Sequence, residues 1–188
     1  MKYSEFLASC SAELNKIPET IEEEFGYLHE NQFNWKPNSQ SWSILECLNH
    51  LIATDSSYDA TFEKIIHNHR KKFVEKEVKF SWLGKWLVNS INPNNSSKMK
   101  APKKFQAPRN SHLKKDEVLS KYMDRLNILM KHFDSFNGLD LNNIYLSSPA
   151  LWILRYNLSS CVQLLTFHHQ RHIIQAMKVK RNTQFPIE

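Results

Sequence analysis

The chain is poor in residues that interrupt helices. Three glycines and seven prolines are spread over 188 residues, too few for the closely spaced turns of a β-sandwich or barrel. Few stretches alternate apolar and polar residues, so the composition points to long helices and an all-α fold. The cysteines, Cys10, Cys47 and Cys161, are odd in number, far apart and set among apolar residues at helical spacing. They argue against a disulfide framework and are expected as reduced, buried thiols. No stretch approaches the roughly 18 consecutive apolar residues of a membrane span, and no basic start leads into an apolar run with a small-residue cleavage site. A soluble, cytoplasmic protein without a membrane partner is expected. A Gly-rich phosphate loop, a Gly-x-Ser-x-Gly elbow and a His-Glu-x-x-His motif are all missing, which removes support for nucleotide-binding, α/β-hydrolase and zincin readings.

Acidic residues are outnumbered, giving a formal net charge of +6. The excess is local: Lys98, Lys100, Lys103, Lys104, Arg109, Lys114 and Lys115 crowd one polar, Pro-containing segment. Aromatic interleaving is slight, with Phe105 alone inside it, so a solvated loop is the simpler reading and nucleic acid is not expected as the partner. Such a charge also suits an anionic small-molecule substrate.

Apolar periodicity predicts four long helices. The first runs from about Ser4 to Leu28, with a kink at Pro18. The second starts in "SWSILECLNHL", where Ser43 and Glu46 fit a capping box and Trp42 is placed to staple against Cys47; it continues to about Lys72. "FSWLGKWLVNSI" is an amphipathic aromatic cluster that opens a crossover of about residues 80–112. The third helix spans about Lys115 to Phe136 and stops at Gly138. The fourth spans about Pro149 to Lys180. One domain over 1–188 is expected, a four-helix bundle in the order up, down, down, up, the long crossover lying between helices two and three.

What the chain does carry is an unusual run of imidazoles, "TFHHQRHIIQ". The seam of the fourth helix, Leu154, Leu158, Cys161, Leu165, His168, His172 and Val179, puts His168 and His172 at core positions four residues apart, on one face. His169 is expected to point elsewhere, to the surface or a flank. Two buried neutral rings need partners for their donors and acceptors, and a divalent cation would supply one. His50, early in the second helix, can join them if the helices are antiparallel. Three imidazoles leave a coordination position open, as in catalytic zinc sites; nickel, iron(II) and manganese also accept imidazole. Glu46 is a candidate to orient the His50 ring and Gln175 to support His172 from outside the ligand set. Each has a plainer alternative as a helix cap and a solvated residue. Cys47, Thr54 and Tyr58 are candidate pocket residues; Cys47, three residues before His50, is readable as a fourth ligand or metal-activated thiolate and, more simply, as a small core residue.

"NWKPNSQSWSILECLNHL", with Trp42, Ser43, Glu46, His50 and Leu51, followed by "HHQRHIIQ", resembles the DinB/YfiT-like superfamily of metalloenzymes. The likeness spans nearly the whole chain, including "APKKFQAP" and "LSSPA". It implies a four-helix bundle with a divalent metal held by three histidines, matched here by His50, His168 and His172. It further implies transferase or isomerase chemistry joining a low-molecular-weight thiol, such as bacillithiol or mycothiol, to an electrophile; a noncatalytic metal-binding or stress-response protein is the alternative. The aromatic and basic insertion departs from simple family members. Trp82, Trp86 and Phe105 within it would roof the metal cavity or form a homodimer contact.

Overall fold

The computed structural model describes residues 1–69, 72, 74–95 and 112–187. The basic residues from Lys98 to Arg109, and Phe105, lie outside them. In chain order the elements are α1 (Tyr3–Asn15), α2 (Ile17–Phe25), α3 (Glu30–Asn34), α4 (Ile44–Ser56), α5 (Asp59–Asn68), α6 (Trp82–Ile91), α7 (Lys115–Ser135), β1 (Tyr145–Ser147), β2 (Arg155–Asn157) and α8 (Leu158–Lys180). The protein is mostly helical, with one small antiparallel hairpin pairing Leu146 with Tyr156. No helix among the described residues is long and apolar enough to cross a membrane.

The expected first helix is divided where Pro18 enters near the start of α2, because proline cannot donate the hydrogen bond that continuity requires. The second is divided too, at Ser57 and Tyr58, whose backbone amides turn back to Thr54 and Asp55 carbonyls at 3.1 and 2.9 Å. "FSWLGKWLVNSI" folds as α6, capped by Ser81. Gly84 lets α6 approach α8 closely, since a Cβ there would stand 2.1 Å from Ser160 Oγ. After α7, Gly138 takes a positive φ of 85°, which favours glycine.

The largest correction falls before α8. The stretch from Pro149 is the tip of the hairpin, and the helix begins at Leu158. Asn157 is its cap, and its amide also ties distant segments together. Asn157 Oδ1 accepts from the Ser160 and Ser81 amides at 3.3 and 3.0 Å, and Nδ2 donates to the Lys79 and Asn142 carbonyls at 2.7 and 3.1 Å. These bonds hold α6 beside β2 and α8.

The core is continuous, from Leu7 and Leu14 of α1 through Leu45, Leu48 and Leu51 of α4 and Tyr122, Leu126 and Leu129 of α7 to Leu158, Val162 and Leu165 of α8. Helix α4 packs against α7 and α8, α1 against the same two, and α6 against α8. Being covered by α1, α2, α4 and α6, α8 buries a wide arc of its surface.

Candidate metal centre

The capping box that starts α4 forms as the residue types dictate. Ser43 Oγ accepts from the Glu46 amide at 3.1 Å, and Glu46 returns a carboxylate to the Ser43 amide at 2.9 Å. The other carboxylate oxygen of Glu46 takes Lys36 Nζ at 2.7 Å. Glu46 therefore caps the helix and holds the preceding loop, the plainer of its two roles. One turn later, on the buried side of α4, stands His50.

Across from it, α8 presents His168 and His172. Ligand nitrogens of His50, His168 and His172 all lie within 4.8 Å of one another. His50 Nε2 and His168 Nε2 are 3.1 Å apart. Nitrogens bound at about 2.0–2.1 Å in a tetrahedral shell stand about 3.3–3.4 Å apart, so the pair already has close to the required separation. The ring centroids form a near-equilateral triangle with sides of 5.0, 4.6 and 4.6 Å. The Nδ1 atoms of His168 and His172 are buried without a hydrogen-bond partner among the described residues.

Burial, then the electrostatic presence of His172, His50, His169 and Arg171, holds His168 well below the ordinary imidazole range. Burial, then His50, His169 and Arg171, does the same for His172, and Gln175 pulls weakly the other way. Both rings are thus neutral near neutral pH and keep the lone pair a cation needs. This donor set fits a borderline divalent transition metal.

Trp42, expected against Cys47, lays its ring against the histidines. It is stacked on His172 at 5.6 Å and 13° and tilted against His50 at 4.8 Å. Aromatic residues just before a helix cap are common core anchors, so nothing in the local sequence marked this one as a wall of the site. Thr54, one turn beyond His50, has a buried hydroxyl without a partner among the described residues. Cys47 is fully buried, and desolvation followed by the charge of Glu46 pushes its thiol far above the ordinary range. Tyr58 is buried with its hydroxyl 2.7 Å from that of Tyr156. Trp82 and Trp86 stand out from α6, 85% and 55% exposed.

His169 corrects the expectation of a surface or flank position. It is completely buried, with Nε2 2.8 Å from Asp55 Oδ2 of α4 and Nδ1 2.8 Å from Tyr122 Oη of α7. Burial, then the Asp55 charge, keeps the Tyr122 hydroxyl protonated well above its usual range, so it can donate to Nδ1. The physical reason lies in the width of the buried arc. Helical residues 168, 169 and 172 fall within about 100° of one another. Because α8 is covered on several sides, His169 takes the deepest place and His168 the edge.

A family model described as the DinB superfamily matches residues 13–176. The chain belongs to the DinB superfamily. The match takes in every element from the end of α1 through most of α8, and all three histidines of the cluster. No curated protein and no solved structure matches this DinB-superfamily chain.

Proposed function

We propose that this protein is a divalent-metal-dependent enzyme in which His50, His168 and His172 hold the ion, and that it transfers a low-molecular-weight thiol to an electrophilic small molecule. The observation that carries the reading is the convergence of three imidazoles, His50 and His172 buried and His168 half-buried, with two ring nitrogens lacking a hydrogen-bond partner among the described residues. Zinc or nickel suits the all-nitrogen donors best, with iron or manganese as further candidates. A bound ion would supply Lewis acidity, lowering the pKa of a thiol or water in its remaining positions.

The protein's own groups support an external nucleophile. Burial raises the thiol of Cys10 to about 11 and those of Cys47 and Cys161 further, so the chain lacks a poised thiolate among its three cysteines. His50, His168 and His172 would bind, Trp42 would fix the ring planes of His50 and His172, and Arg171 would add positive charge near an anionic substrate. As architecture, the proposal is one domain built as a four-helix bundle. Its members are α1 with α2, α4 with α5, α7 and α8, in the order up, down, down, up; the pairing of α4 with α7 and α8, and of α1 with both, supports it.

Two measurements test this. After reconstitution, elemental analysis should find close to one equivalent of transition metal, and His50→Ala should lose it; loading below about a tenth of an equivalent, or unchanged in the variant, overturns the site. The loaded protein should then conjugate a cellular thiol to an electrophile. The second reading, a noncatalytic metal-binding or stress-response protein, is favoured by the Trp42 ring lying flat on His172. It wins if no thiol is turned over while chelation strongly lowers the melting temperature.

A further inference from the structure

Far from the histidines in chemistry, one end of the molecule leaves large apolar side chains in water. At the tip of the hairpin Leu151, Trp152 and Ile153 are 45%, 77% and 58% exposed, and on α6 Trp82 and Trp86 stand out as well. Helix α6 starts against the base of this hairpin. Ser81, immediately before Trp82, donates its amide to Asn157 of β2 at 3.0 Å, and Ile153 lies four residues before Asn157, about 13 Å of extended chain.

Charge on this end has one sign. The sequence contains no aspartate or glutamate between Glu77 and Asp116, nor between Asp140 and Glu188. Their described helix and strand segments pack on each other, α6 lying against β2 and α8. Lys79, Lys85 and Arg155 among them are exposed. Of the acidic residues beside it, Asp140 is paired with Lys76 at 2.7 Å and Glu75 accepts from Ser4 Oγ at 3.2 Å, and both Glu75 and Glu77 stand exposed at the margin.

We infer that this tryptophan-rich, acid-free end docks on the surface of a bilayer containing anionic phospholipid. Tryptophan rings settle at headgroup depth, Leu151 and Ile153 reach the acyl boundary, and the cations meet lipid phosphates. No described helix crosses a bilayer, so the attachment is peripheral. The other occupants fit less well. A nucleic acid would use the cations and stack on the tryptophans but gives Leu151 and Ile153 no apolar environment. A second copy meeting this face symmetrically would bring like charges together. The inference is independent of the metal reading.

The test is flotation of the full chain with vesicles of phosphatidylcholine alone or with about 30% phosphatidylglycerol, at low and high salt, with tryptophan emission recorded. Binding to the anionic vesicles, a blue shift quenched by brominated lipid, and about tenfold weaker binding by Trp152→Ser/Ile153→Ser are expected. Both positions are exposed, and an unchanged circular dichroism spectrum and metal loading would show the variant folded. Several results overturn the inference: equal binding to neutral and anionic vesicles, no binding at low salt, or unchanged binding by the double variant. Tighter binding to a DNA duplex than to the vesicles also overturns it, as does a dimer in solution that the double variant abolishes.

Discussion

His168 and His169 are neighbours in sequence, yet the two imidazole clusters they join are built on opposite terms. His169 is closed within the protein: a carboxylate occupies one ring nitrogen, a phenol the other, and α4, α7 and α8 each contribute one member. His168 is joined to His50 on one side, and among the described residues its Nδ1 on the other side and the Nδ1 of His172 have no partner. The closed cluster uses both nitrogens of its imidazole to hold three helices together, and its one atom without a partner among the described residues is a carboxylate oxygen, Asp55 Oδ1. The open cluster turns imidazole nitrogens toward one another, with Nε2 of His50 and His168 3.1 Å apart and no carboxylate or phenol between them, which is the arrangement a ligand site requires.

The contrast is broken most sharply at the closed cluster. His169→Ala should cost about 3–5 kcal/mol, because it opens a cavity in the core and leaves both Asp55 Oδ2 and the Tyr122 hydroxyl buried without their partner. Urea unfolding measures it, and a loss under about 1 kcal/mol would mean that water replaces the ring. Next comes the open cluster. His50→Ala should cost the metal-free protein about 1–2 kcal/mol, since it removes a buried ring and strands His168 Nε2, and should abolish a metal-dependent gain of about 2.7 kcal/mol at a free ion concentration one hundred times the dissociation constant. Paired melts with and without zinc or nickel give this directly. If His169→Ala removed the same increment while the protein stayed folded, the division between the clusters would fail.

Tyr122→Phe sharpens the picture at smaller cost. It removes one neutral hydrogen bond and strands His169 Nδ1, a loss of about 1–2 kcal/mol with metal loading intact. An effect confined to acid pH lies outside both clusters, at Asp140. Burial pushes its carboxyl up, but hydrogen bonds from Lys76, Asn143 and Tyr3 outweigh it and bring the group down to about 2. Its stabilisation is therefore complete above the unfolded carboxylate range and is lost as pH falls from about 4 through about 2. Asp140→Asn should flatten that part of the acid unfolding profile and leave the metal-dependent gain at neutral pH unchanged.

Short-range chemistry was readable before any coordinates. The Ser43–Glu46 capping box, the Pro18 break and the Gly138 stop depend on residues within a turn of each other. The meeting of three histidines was readable as well, since His168 and His172 share a face by spacing and His50 follows from how α4 meets α8. The misplacement of His169 came from tracing α8 as a narrow seam, when four neighbouring helices bury a broad arc of it. The hairpin stayed hidden because its strands are three residues each and are secured from far away, by Lys79 and Ser81 on Asn157. The division at Ser57 and Tyr58 was invisible for another reason: the apolar period continues across it, from Leu51 to Tyr58 and Phe62.

Asn157 gives the fold a shared unit of opening. Its one side chain closes hydrogen bonds to segments 76 and 15 positions away in sequence. The first turn of α8 therefore cannot fray like an ordinary helix end without releasing the start of α6 at the same moment. Amide exchange in the two should be governed by one opening event, a cooperative unit stitched across the chain. The histidines, two to four turns further along α8, thus sit on a helix whose free end has been removed.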